Sequence, residues 1–226
     1  GGLLLALLLS TPCTPPSRPR IAEVLYDALG DDTGFEYVEL LNASDTPQAL
    51  SGVRLEAGDG SGPGRWSLRW TGGALDSVRA RGRFVIGGAH VTPVPDVVVS
   101  LDLQNGPDAV RLVWPDGTRE ILGWGAHEFA EYACGDPAPD AGSGQSLARV
   151  PDDSELGSNL LDFRAAVPSP GTANRAGLDA AMARGSLAVH PEQPSPLGLF
   201  EIRARVANAG ATALAAGGLQ VWVQGG

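Results

Sequence analysis

From Arg20 to Trp124, apolar and polar side chains alternate in short runs broken by Gly, Pro, Asn and Asp, the pattern of half-buried strands joined by tight turns. The runs are RIAEVLY (20–26), FEYVELL (35–41), VRLEA (53–57), RWSLRW (65–70), RFVIGG (83–88), VVVSLDL (97–103), AVRLVW (109–114) and TREILGW (118–124). Each is predicted to be a strand. The turn ALGDDTG makes the first two a hairpin, and Asn105-Gly106 in QNGPD and PDG at 115–117 are predicted to close two more. Strands this short at this spacing predict an all-β antiparallel sandwich or barrel. Side chains alternate along a strand, so Val38 and Leu40 share one face with Glu36 while Tyr37, Glu39 and Leu41 share the other. Glu36 and Glu39 then cannot form a close acid pair. The same assignment puts Val38 in the core and makes Glu39→Gln a tolerated change.

Turn chemistry marks further joints. Gly52 permits a turn into the following strand, Asn42 can hydrogen-bond nearby backbone as an Asx turn, and Pro170-Gly171 terminates the patterned region. The stretch 125–143 is long and lacks periodicity, which fits an insertion or a binding loop. RAGLDAAMARG (175–185) reads as a brief helical linker. From Gly185 the chain restarts with a strand, a Pro-rich turn, an alternating strand from Phe200 to Val206 and a turn at Asn208–Gly210. Two or three strands cannot cover both faces of a sandwich, so 185–226 is expected to be marginal alone and the protein to continue beyond it.

Composition sharpens this picture in three ways. A 43% hydrophobic content over 226 residues supports a real core, and 31 Gly with 18 Pro suit a turn-rich fold. The net charge of −10 argues against nucleic acid as a partner, because phosphate binding rests on cation contacts. All sixteen basic residues are Arg. Three of them, Arg79, Arg81 and Arg83, form a local stripe read as a solvated edge.

The N-terminal tract GGLLLALLLSTPCTPPSRPR carries an apolar run, Leu3–Leu9, too short to cross a bilayer and suited to the core of a secretory signal. Cys13 follows it as a lipidation candidate, although Pro12 stands where a small residue is usual. No initiator Met precedes the run, so earlier residues are expected to exist. TPPSRPR then reads as a tether. The chain is therefore expected to be exported, either lipid-anchored to the cell envelope or secreted, with membrane contact only through this leader or its anchor. The remaining cysteine, Cys134, is expected to be a free loop thiol, without a structural disulfide.

Candidate chemistry is sparse. His90, His127 and His190 are scattered, with no metalloprotease, nucleophile-elbow or phosphate-loop motif. His127, Glu128, Asp136 and Asp140 share one loop without the preorganisation that zinc requires. Asp27, Asp31 and Asp32 flank a Gly turn and are weak calcium candidates, although Asp and Gly are also ordinary turn residues. No catalytic residue, cofactor or firm metal site is expected.

The run IAEVLYDALGDDTGFEYVELLNAS, then ALSGVRL, GRFVIGG, LDLQNGPDAVRLVWPDG, GQSLARV (144–150) and FRAAVPSPGTAN (163–174), in this order, resembles the lamin tail domain of bacterial envelope and secreted proteins. The resemblance implies an immunoglobulin-like β-sandwich over 18–175. Val206, Asn208 and Gly210 resemble the turn of a CARDB-type adhesion module, which implies a second, incomplete sandwich over 185–226. The expected organisation is a leader and tether (1–17), the first sandwich (18–175), a linker (176–184) and the second sandwich. The implied function is a non-catalytic envelope scaffold or binding module whose partner is a protein or glycan at the cell surface. The alternative is an accessory domain of an exported hydrolase or nuclease whose catalytic part lies beyond Gly226.

Overall fold

The computed structural model describes residues 17–174 and the backbone of 180–182, 188–190, 201–203 and 206–208. The chain divides into two compact units, Gly1–Arg175 and Ala176–Gly226. In the first unit the strands are β1 (Arg20–Leu25), β2 (Tyr37–Leu41), β3 (Gln48–Ala49), β4 (Arg54–Gly58), β5 (Trp66–Thr71), β6 (Ser77–Val78), β7 (Arg83–Gly87), β8 (Val97–Val98), β9 (Ala109–Val113), β10 (Arg119–Gly123), β11 (Ser146–Arg149) and β12 (Phe163–Ala166). A 3-10 turn, Ala130–Tyr132, and one helical turn, α1 (Asn159–Asp162), complete it.

A six-stranded sheet of order β12-β11-β1-β2-β7-β8 packs on a four-stranded sheet of order β10-β9-β4-β5. All pairings in them are antiparallel except β7 with β8. The fold is thus the all-β sandwich that the alternation predicts. Val24, Val38, Leu40, Ile86 and Leu147 from one sheet meet Leu55, Val110, Leu112 and Leu122 from the other in one buried cluster. Burying each such aliphatic side chain contributes about 1.5–3 kcal/mol. Tyr26 stacks on Trp124 at 4.5 Å between ring centres, and Trp70 packs on Phe84. The outer face of the six-stranded sheet is covered as well. Leu25, Ala28, Tyr37, Val85 and Val91 form a second, smaller buried cluster there.

Two turns follow their sequence signals closely. Gly117, at φ 84°, closes the β9–β10 hairpin through PDG, and Asn42 forms its Asx turn by accepting the Ser44 N–H at 3.0 Å. Gly52 takes the left-handed conformation at φ 74°. QNGPD, by contrast, is not a hairpin. The strand predicted over 97–103 shrinks to Val97–Val98, Asp102 turns to φ 48°, and the chain passes from the six-stranded sheet to β9 in the other. Arg69 donates to the Asp102 carbonyl at 2.9 Å and fixes this crossover.

The second unit holds β13 (Ala180–Met182), β14 (Ala188–His190), β15 (Glu201–Arg203) and β16 (Val206–Asn208), with β13 paired to β16 and β14 to β15. The brief helix expected over 175–185 is therefore corrected. Ala180–Met182 is a strand, because pairing with Val206–Asn208 satisfies its backbone. The predicted turn at Asn208–Gly210 lies partly outside the described residues.

Candidate functional site

The β1–β2 register sets Glu23 directly opposite Glu39, both with no exposed surface. Period-two patterning places Glu39 on the face away from the main core, as expected. That face is nevertheless closed, because the segment after β12 returns across it. Ser169 donates its N–H at 3.0 Å and its hydroxyl at 3.1 Å to Glu23, and Gly171 donates its N–H to Glu39 at 2.5 Å. Asn174 donates to the carbonyls of Ala22 and Arg149 at 2.8 and 3.1 Å. Ala22 is where β1 bulges, so Asn174 satisfies a carbonyl that the irregular ladder exposes. The closing motif PSPGTAN is thus read by the two glutamates and the bulge.

The surroundings of the two carboxyls differ. Glu39 accepts from Arg83 Nε at 2.8 Å, and Arg83 also pairs with Asp152. Burial pushes the Glu39 carboxyl up to about 7, with Arg83 and the Gly171 N–H pulling the other way. Glu23 accepts from the Ser146 hydroxyl at 2.5 Å as well as from Ser169, and burial raises its carboxyl. Tyr37 reaches the same spot, where its hydroxyl accepts the Ser169 N–H at 3.3 Å. Burial, then the charge of Glu23, drive the Tyr37 phenol upward.

The acids of the opening hairpin are thus only partly dispersed. Glu36 and Glu39 do lie apart: Glu36 accepts the buried Leu103 N–H at 2.8 Å, and burial pushes it up to about 7. Glu23 and Glu39 converge, and Arg83 and Gly171 are both fixed donors to Glu39, which argues against the expected tolerance of Glu39→Gln. Asp31 caps the Thr33 N–H, which lowers its pKa, and Asp32 accepts from Asn105 at 3.3 Å. Asp27 contributes its carbonyl to the Gly144 N–H. Among the described residues no group of three or more His, Cys, Asp or Glu is arranged to hold a metal ion.

Beside the closing turn runs an open groove of about 490 Å³ lined by Ser77, Arg79, Gly82, Arg83, Val85, Asp96 and Gly171. Arg79 is exposed. Two members of the stripe 79–83 therefore border a concave surface, while Arg81 pairs with Asp45 in solvent.

A second charged cluster escapes sequence reasoning. Arg149, 1% exposed, contacts Glu120 at 3.0 Å, Asp162 at 3.2 Å and Glu155 at 3.7 Å. It also donates to the carbonyls of Ile21 and Ser154 and lies over the Phe163 ring. Glu120 takes the Ile21 N–H, so the cluster bolts β10 of one sheet to β1 and β11 of the other. The only signal for it was an Arg inside the motif GQSLARV.

The long stretch 125–143 is a plug. Tyr132 is fully buried, accepts the Arg65 N–H and donates to the Gly62 carbonyl at 2.5 Å. Its slot exists because Gly58 and Gly123 lack side chains: a Cβ at Gly58 lies 2.8 Å from the Tyr132 ring, and one at Gly123 lies 1.9 Å from the Tyr132 carbonyl oxygen. The ligand candidates of this stretch do not converge. His127 faces the Asp108 carbonyl, and Asp140 accepts from Tyr26. Cys134 is disulfide-bonded, which corrects the expected free thiol. The segment around it is held still by Asn159, which accepts the Cys134 N–H and whose own N–H bonds the Cys134 carbonyl. The only other cysteine in the sequence, Cys13, lies outside the described residues. No family model, curated protein or solved structure matches the chain.

Proposed function

We propose that residues 18–175 form a non-catalytic, lamin-tail-like module of immunoglobulin type in an exported chain, followed by the start of a CARDB-like module. It acts as an envelope-associated scaffold that offers loops and one concave groove to a protein or glycan at the cell surface. One observation carries this reading: the buried acids that could serve as acid–base groups are each committed to holding the chain together. Glu23 and Glu39 grip the closing turn, Glu120 and Asp162 grip Arg149, and Glu36 grips the backbone at Leu103. The motifs that carry the family resemblance fall on these joints. EYVELL supplies Glu39, GQSLARV supplies Ser146 and Arg149, and PSPGTAN supplies the closing turn.

The groove fits contact with a partner that carries both acidic and hydrogen-bonding groups, since Arg79, Ser77 and Asp96 all line it. The test is the full chain incubated with phosphoester, peptide and glycoside substrates, alongside fractionation of producing cells. Rates equal to buffer and recovery with the envelope or medium are expected. Robust turnover that Glu39→Gln abolishes without unfolding the chain overturns the reading.

A further inference from the structure

The layer that closes over β1 and β2 holds three carboxylates and one cation. Glu23 comes from β1, Glu39 from β2, Arg83 from β7 and Asp152 from the β11–α1 connection. Asp96 stands beyond Arg83 in the groove, where its carboxylate accepts the Val85 N–H at 2.8 Å. The closing turn, 167–174, brings no ionisable side chain, and Tyr37 brings a phenol. Arg20 of β1 and Arg164 of β12 share this face of the sheet but donate to the Asp153 and Val150 carbonyls, so Arg83 is the guanidinium that pairs with these acids and Glu23 is bonded by neutral donors.

The partners decide which group holds it. Glu39 is met at Oε1 by Arg83 Nε and at Oε2 by the Gly171 N–H, groups that donate and have no lone pair to offer. A proton on Glu39 has no acceptor among them. Glu23 is met by the hydroxyls of Ser146 and Ser169 as well as by one N–H, and a hydroxyl can turn and accept. Ser146 Oγ lies 2.5 Å from Glu23 Oε1 and 3.4 Å from the Ala166 carbonyl. It can take a hydrogen bond from the acid and pass its own hydrogen to Ala166.

We propose that the closing turn is a proton-coupled latch: it docks on a neutral Glu23 carboxylic acid beside an ionised Glu39, and it opens with release of that proton. The sign follows from burial, which raises both carboxyls above their ordinary value. The docked state then keeps a proton that the open state loses. Its grip is complete below the ordinary carboxylate range, weakens as pH rises above that range, and levels off once the docked Glu23 carboxyl has also lost its proton. Gly171 is both a latch contact and a wall of the groove beside Arg79, so the latch sets the groove's shape whatever occupies it.

Amide hydrogen exchange of the full chain tests this, read at Ser169, Gly171 and Asn174 and corrected for the intrinsic pH dependence. The local readout matters because Glu36, also pushed up to about 7, loses stability over the same window elsewhere. The opening constant of the wild type is expected to rise about tenfold per pH unit over the interval above the ordinary carboxylate range in which only the docked state keeps the proton. In Glu23→Gln, whose amide N–H mimics the acid's O–H toward Ser146, the constant is expected to stay low and flat. A flat wild type overturns the proposal, and so does a Glu23→Gln variant with the wild-type slope. Should the variant fail to dock its turn at any pH, carboxyl-carbon NMR of the wild type decides. Titration of Glu23 above the ordinary carboxylate range, after Glu39 has ionised, supports the latch; Glu39 ionising last, or both groups titrating in the ordinary carboxylate range, overturns it.

Discussion

Two buried knots of charge flank the bulge in β1, and they are built from the same parts. Around Arg149 stand Glu120, Glu155 and Asp162; around Arg83 stand Glu39 and Asp152, with Glu23 one strand away. The first knot has its cation at the centre, within reach of every acid. In the second the guanidinium serves two acids, and the third sees only hydroxyls and N–H groups. The lesson is that a buried excess of carboxylate can be tolerated by geometry in one place and by a proton in another. Arg149 makes an immobile bolt between sheets, whereas Glu23 leaves its segment responsive to solution conditions.

The largest break in this comparison is expected from Arg149→Met, which strands Glu120 and Asp162 in the interior. Loss of one partner from a buried ionic group costs about 3–5 kcal/mol, and urea denaturation should register it as a large fall in midpoint. A drop below 1 kcal/mol in the same assay would mean that the Arg149 knot does not bolt the sheets, and the contrast between the two regions would fail. Next comes Glu39→Gln, in which an amide oxygen can satisfy Arg83 or Gly171 but its N–H₂ must face the other donor. About 1–3 kcal/mol is expected at pH 8, measured by thermal or chemical unfolding. Smallest is Arg79→Ala on the groove rim, a surface change expected within about 0.5 kcal/mol of wild type; a larger loss would show that Arg79 takes part in the Arg83 knot.

What the sequence made legible follows the range of the physics. Local rules located β1, β2, β4, β5, β7, β9 and β10, the Asx turn at Asn42 and the PDG hairpin, because those depend on residues a few positions apart, while β3, β6, β11 and β12 fell outside the patterned runs. The burial of Glu39 was not legible, since it depends on Gly171, far along the chain, crossing a face that alternation marks as polar. Arg149 was hidden for a related reason: its partners lie on β10, on α1 and at the bulge of β1. Asn-Gly at 105–106 misled because the same dipeptide serves a crossover as well as a hairpin. The slot for Tyr132 requires Gly58 and Gly123 together, and neither glycine announces it alone.

The rims of the two sheets carry a quieter consequence. Asp96 occupies the N–H of Val85 on the β8 side of one sheet, and Asn159 engages the Gly123 N–H and Ile121 carbonyl along β10 of the other. Backbone groups able to recruit a foreign strand are answered there by side chains of the same molecule. At these two edges a neighbouring copy meets backbone groups that are already bonded, which disfavours strand addition there.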